Sequence, residues 1–361
     1  MVIAPIDQSK LSIRGEDTDP AAFFETVYQA FQQAAQVVGG SLDRFYSVDS
    51  HTIRLRFAGP ALVPRITPAL EHLATGPSSD PALTVCLWDS ASTDTNIPRP
   101  PWSGYAYTPR GDVSGYNNDR IHTAYHVGAD VLNLLDTSRD LAIYCTRDAR
   151  RLPSYETGAP LRTILHWWLR PYRRQFIHGG AVGTANGGVL LTGKGGSGKS
   201  TTALACLHSE LVYVSDDYCL LATDPVPYVY SIYNSAKLNP DDICRVPYLR
   251  SAISNADRLD TQKALFFLQQ HYPEKLVAGF PIRAILLPRV TGRLETTLTP
   301  ASPMASLRAL VPSTMRQLPG ADQATLQIIE QFIEQVPSYH LELGTDLAQV
   351  PEVILGLLSE D

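Results

Sequence analysis

Eight consecutive residues, Gly193-Lys194-Gly195-Gly196-Ser197-Gly198-Lys199-Ser200, constrain this chain more than any other stretch. They satisfy the pattern G-x-x-x-x-G-K-[ST], whose fixed positions coincide by chance in only about one chain in a hundred of this length. The pattern functions in one local setting, a strand feeding a glycine turn that opens into a helix. Both flanks comply: an apolar run at residues 188–192 precedes it, and residues 201–208 carry the apolar spacing of a helix. Glycines let successive backbone N–H groups converge on phosphate oxygens, and the helix adds its positive N-terminal end. Lys199 is expected to reach the β- and γ-phosphates and the Ser200 hydroxyl to ligate a cation, with Thr201 completing the nucleotide-binding set. ATP and Mg²⁺ are therefore the expected ligands.

A second strand pattern, residues 211–214, runs into Ser215-Asp216-Asp217. Carboxylates at the carboxyl end of a buried strand sit where α/β folds collect ligand groups. One of the pair can hold Mg²⁺, directly or through water, and the other can take the proton of an attacking hydroxyl. Upstream, residues 176–182 form another apolar run containing His178-Gly179, and residues 184–188 have the composition of a tight hairpin turn. His178 alone reads more readily as a satisfied structural histidine than as a catalytic one.

The remaining chain is read more coarsely. Asp19-Pro20 opens a helical pattern, with Asp as N-cap and Pro at the first helical position. Residues 52–57, 84–88 and 140–145 read as strands, and residues 89–119, rich in Pro, Ser, Gly and Asn, as a long loop. Residues 160–176 read as a helix kinked or ended near Pro171, with Trp167 and Trp168 as packing residues. Residues 282–287 are a buried strand, 324–334 a helix and 339–343 a strand ending at Gly344. Residues 346–358 form a closing helix capped by Asp346, which Pro351 kinks or restarts. The change of pattern near residue 150 divides the chain into an α+β accessory domain, 1–150, and a nucleotide-binding domain, 151–361.

The order His178-Gly179, glycine loop, Asp216-Asp217 resembles the kinase domain of HPr kinase/phosphorylase and its relatives, and more distantly the phosphoenolpyruvate carboxykinase core. The resemblance is close over residues 176–221 and extends in element order over 150–361. It implies an α/β fold: a P-loop kinase core of the HPr-kinase/phosphoenolpyruvate-carboxykinase type, preceded by a smaller α+β accessory domain. It further implies Lys199 and Ser200 on phosphate and metal, Asp216 as general base for the acceptor hydroxyl, Asp217 in the metal shell and His178 near the γ-phosphate. The chain departs from the family where a Glu-x-Arg-Gly-type signature is expected, since residues 231–240 read Ser-Ile-Tyr-Asn-Ser-Ala-Lys-Leu-Asn-Pro. Phosphorylase activity is therefore not implied. The layout is closer to HPr-kinase-like proteins that phosphorylate serine in peptides or small molecules. Lys237 reads equally as a nucleotide or acceptor contact and as a solvated lysine. Arg283 and Arg289 are candidates for neutralising transition-state charge, or ordinary strand-end arginines.

The function expected is an ATP- and Mg²⁺-dependent kinase acting on a hydroxyl, a serine of a peptide or protein. Two alternatives share the motifs: a small-metabolite kinase, and an ATP-binding sensor that transfers nothing. A net charge of −6 argues against general nucleic-acid binding, which needs a basic face. The first twenty residues lack the basic and apolar regions of a signal peptide, and no apolar run approaches bilayer length. The five cysteines show no metal spacing and read as small buried hydrophobes in a reducing compartment. Expected partners are thus ATP and a peptide, protein or small-molecule hydroxyl, in the cytoplasm, without nucleic acid or membrane; self-association into a homo-oligomer is left open.

Overall fold

The computed structural model describes residues 19–102 and 106–359; the reading of the N-terminus as lacking a signal peptide lies outside them. The chain is a mixed α/β protein with two large sheets. α1 (Pro20–Val37) begins as its sequence demands, with Asp19 Oδ1 accepting from the Ala21 N–H at 3.4 Å and Pro20 inside the first turn. It buries Phe23, Phe24, Val27 and Phe31 along one face, each large apolar side chain contributing about 1.5–3 kcal/mol.

The first sheet holds β1 (Ser41–Val48), β2 (His51–Ala58), β3 (Leu83–Asp89), β4 (Ile121–His126), β5 (Val131–Asp136) and β6 (Leu141–Thr146), in the order β1-β2-β3-β6-β5-β4. β2, β3 and β6 run parallel; the other pairs are antiparallel. Two single-turn helices, α2 (Val63–Ile66) and α3 (Ser90–Thr93), sit between strands. β1, β4 and β5 are additions to the sequence reading. β5 is buried at every position.

After α4 (Ser154–Thr157), α5 (Arg162–Leu169) stops just before Pro171, which falls in a single 3₁₀ turn. Trp167 and Trp168 are core residues, 3% exposed each. The second sheet then assembles from β7 (Gln175–His178), β8 (Gly180–Thr184), β9 (Gly187–Leu191), β10 (Val212–Ser215), β11 (Tyr218–Ala222) and β12 (Tyr228–Tyr230), joined later by β15. The run 176–182 is thus two strands rather than one: the chain breaks at Gly179, β7 pairing with β11 and β8 with β9. α6 (Lys199–Ala205) follows the glycine loop, and a 3₁₀ turn carries it to His208.

β13 (Ser235–Leu238) and β14 (Ala264–Phe267) form a separate two-stranded ribbon. β15 (Gly279–Val290) is the long central strand, parallel to β9 and to β17 (Ser338–Leu343), which also pairs with β16 (Thr297–Pro300). α7 (Pro303–Gln317) and α8 (Gln323–Gln335) intervene, and α9 (Gln349–Leu358) closes the described chain. Asp346 does not cap α9, which starts three residues later with Pro351 in its first turn; its carboxylate instead accepts from the Ala348 N–H at 3.0 Å. One apolar cluster runs continuously from Tyr46 and Leu55 through Trp167 and Trp168 to Phe176, Tyr218 and Leu318. We propose the division near residue 150 as an organisational one, because the two large sheets fall on either side of it while the core is shared. Cys86, Cys145, Cys206 and Cys219 are buried, whereas Cys244 is exposed. No helix among the described residues is long and apolar enough to cross a membrane.

Candidate active site

The glycine loop leaves the carboxyl end of β9 and enters α6, so its backbone must reverse within a few residues. It does so through left-handed conformations at Gly193 (φ 155°), Gly196 (φ 78°) and Gly198 (φ 106°), which side chains rarely adopt. At Gly198 a Cβ would also come within 2.4 Å of Leu343 Cδ1, which would have to shift, so the positive φ is the stronger reason for glycine there. Lys199 folds back over this loop, its Nζ donating to the Gly193 carbonyl at 2.7 Å and to that of Lys194 at 3.3 Å. Burial lowers the Lys199 pKa, and Asp216 and Asp217 act against that.

Asp216 and Asp217 occupy the turn between β10 and β11, facing the loop. Asp216 is 1% exposed; its Oδ2 accepts the Lys237 backbone N–H at 2.8 Å, while Oδ1 has no hydrogen-bond partner. Burial, then the charge of Asp217, raises its pKa above the ordinary carboxylate value. The Lys237 N–H and the nearby Ser200 hydroxyl oppose the rise, the latter without closing a hydrogen bond of normal geometry on Oδ1.

Asp217 is held from both sides. His178 Nε2 lies 2.9 Å from Oδ1, and Lys237 Nζ lies 2.5 Å from Oδ2. Burial alone would raise its carboxyl, but Lys237 and the His178 hydrogen bond outweigh burial and hold it well below the usual carboxylate range. The register Tyr218↔His178 between β11 and β7 explains the histidine's position: it sits across from the residue following Asp217. Its other nitrogen, Nδ1, lies 3.4 Å from Gln317 Nε2. Gln317 Oε1 in turn accepts from the Tyr218 hydroxyl, which accepts from Arg162 Nη1 at 3.0 Å. A chain of polar contacts therefore connects Arg162 to Lys237 through Tyr218, Gln317, His178 and Asp217.

Two adjoining hollows share these residues. The smaller, about 170 Å³, is lined by the glycine loop, Thr201, Asp242, Arg245 and Lys263; the larger, about 840 Å³, opens beyond Asp216 and Asp217 toward α4, α5 and α7. Glycine loop, Lys199, Ser200, Asp216, Asp217 and His178 are thus brought together. Lys237, ambiguous in sequence, belongs with them: it is 9% exposed and paired, not a solvated lysine. Arg289 pairs with Glu342 at 2.6 Å and is half exposed, and Arg283 lies against the Gly187 turn at the far end of β9; neither lines the two hollows. Tyr218, Gln317 and Arg162 are site residues that sequence reasoning missed. Only Tyr218 carried a signal, its adjacency to the Asp pair.

Among the described residues, no group of three or more His, Cys, Asp or Glu side chains could hold a metal ion unaided. A cation like Mg²⁺ keeps water and phosphate oxygens and takes only one or two protein carboxylates. The Ser200 hydroxyl and the Asp217 carboxylate, which line the smaller hollow together, are oxygen donors of that kind.

No family model matches the chain, and no curated protein matches it. Among solved structures it is similar to the HPr(Ser) kinase/phosphatase from Coxiella burnetii, with a TM-score of 0.28 and 11% identity, covering 51% of this chain and 93% of that one.

Proposed function

We propose that the chain is an ATP- and Mg²⁺-dependent phosphotransferase that moves the γ-phosphoryl group to an alcohol, a serine hydroxyl of a peptide or protein or the hydroxyl of a small molecule. The observation that carries the reading is Asp216: a buried carboxylate with one oxygen unengaged, set between a phosphate-binding glycine loop and a large cavity. A protein that only senses ATP has no need of such a group.

In this reading the loop N–H groups receive the triphosphate, and Lys199 exchanges the Gly193 and Lys194 carbonyls for phosphate oxygens. Magnesium, held by Ser200 with Asp217 in its outer shell, would neutralise charge on the phosphates. The acceptor enters from the larger cavity and presents its hydroxyl to Asp216 Oδ1. Asp216 accepts the hydroxyl proton as the new P–O bond forms and the bond to the ADP oxygen breaks; its raised proton affinity suits it to that role. Asp217 stays ionised between Lys237 and His178. His178, its Nε2 against Oδ1, keeps that carboxylate in place.

The test is Asp216→Asn. ATP affinity measured by calorimetry should stay within about three-fold, while acceptor-dependent ADP release falls by about 10²-fold or more, the usual contribution of a positioned base. Equal losses in affinity and turnover would remove Asp216 from the base role.

A further inference from the structure

The cations around the site divide into two sets. Lys199, Lys237, Lys263 and Arg245 line the hollow at the glycine loop, where a triphosphate would accumulate its charge. Lys237 and Lys263 border the larger cavity as well, whereas Arg162, Arg308 and Arg316 line that cavity alone. Arg308 and Arg316 stand at i and i+8 on α7, with Pro312 between them at i+4, so all three share one helix face, and that face borders the cavity. Among the described residues neither arginine has an ion-pair or hydrogen-bond partner. Arg162 packs its guanidinium 4.8 Å from the centre of the Tyr218 ring, bonds the Tyr218 hydroxyl and leaves Nε buried without a partner. Glu156 lies buried nearby, bonded to the Tyr144 hydroxyl at 3.2 Å. Among the described residues, the carboxylates on the cavity wall are Asp216 and Asp217, and Asp217 is already paired.

We infer that the larger cavity binds a ligand carrying an oxyanion, a carboxylate or a phosphate, read by Arg162, Arg308 and Arg316; resting on the phosphotransferase reading, that ligand is the acceptor and its anion sits across the cavity from the hydroxyl at Asp216. Planar guanidinium groups on α5 and α7 match the in-plane lone pairs of such an anion. Among the described residues, Arg308 and Arg316 have no carboxylate partner on the cavity wall to neutralise them.

The test loads the full chain with a non-hydrolysable ATP analogue and Mg²⁺, so that the glycine loop is filled, and titrates it with D-glycerate, glycerol 3-phosphate and glycerol. At least one anionic probe should bind about ten-fold or more tighter than glycerol, and the better of the two identifies the anion. Arg308→Gln with Arg316→Gln, both at exposed positions and safe for folding, should weaken that probe about ten-fold or more, as loss of charge-assisted bonds does. Affinity for the ATP analogue should not change, and Arg289→Gln, on the surface away from the cavity, should leave the probe unaffected. Equal binding of glycerol and the anions overturns the inference. So does a double variant that binds the probe normally, or one that loses the ATP analogue instead. Anion binding of this pattern without phosphoryl transfer to any hydroxyl would leave the oxyanion site standing and sink the kinase reading.

Discussion

Replacing Lys237 by Met tests the electrostatic frame of the site. Lys237 Nζ lies 2.5 Å from Asp217 Oδ2, and the two side chains are 11% and 22% exposed. Removing one partner of a fully buried pair costs about 3–5 kcal/mol, whereas an exposed pair contributes about 0–1. Asp217 keeps some solvent and the His178 hydrogen bond, so the expected loss for Lys237→Met is intermediate, about 2 kcal/mol by urea unfolding at pH 7. In an Asp217→Asn background the same substitution should cost about 0.5 kcal/mol, a coupling of about 1.5 kcal/mol. The sign of the pH dependence follows from the depressed Asp217 carboxyl. Its contribution is present above the unfolded value of about 3.9 and is lost as pH falls through the folded value. The gap between the wild type and Lys237→Met is therefore full at neutral pH and narrows below about pH 4. Equal costs in both backgrounds would show that Lys237 acts through packing and would refute the ion-pair argument.

Two further outcomes follow from geometry. Gly198→Ala, forced to φ 106° with its Cβ against Leu343, should lose about 2–3 kcal/mol and several degrees of Tm without nucleotide, whereas Gly195→Ala, with nothing within 4 Å of its Cβ, should be near neutral; equal melting points would contradict the loop account. His166 is fully buried, neither ring nitrogen has a partner, and burial pushes its pKa down to about 3. It is neutral in the fold and charges on unfolding, so stability is full above about pH 6.5 and declines as pH falls toward the folded value, by about 2 kcal/mol at pH 5. His166→Leu should flatten unfolding free energy between pH 7 and 5 by that amount, and an unchanged slope would assign the acid sensitivity elsewhere.

How much of this was legible differs by element. The strand, glycine loop and helix were readable because the motif demands that order, and α1 because Asp19 and Pro20 mark its start. The break at Gly179 was not readable, since a continuous apolar run does not show that successive strands pair with different neighbours. Lys237 was undecidable for the same reason: its meaning depends on β13 passing the turn between β10 and β11, a long-range contact with no local signature. Gln317, Arg308 and Arg316 lie on α7, whose internal Pro312 and weakly apolar composition conceal a helix. Of the described cysteines, only Cys244 escaped the burial expected of all five.

The account stands most directly on phosphoryl transfer. Purified protein incubated with γ-labelled ATP, Mg²⁺ and an extract of its source, beside Lys199→Ala and Asp216→Asn, should move label into an acid-stable, alkali-labile ester in a peptide or small-molecule fraction, and neither variant should do so. ATP bound by the native protein, with no label transferred in an extract that supports other kinases, would contradict the account and leave a nucleotide sensor in its place.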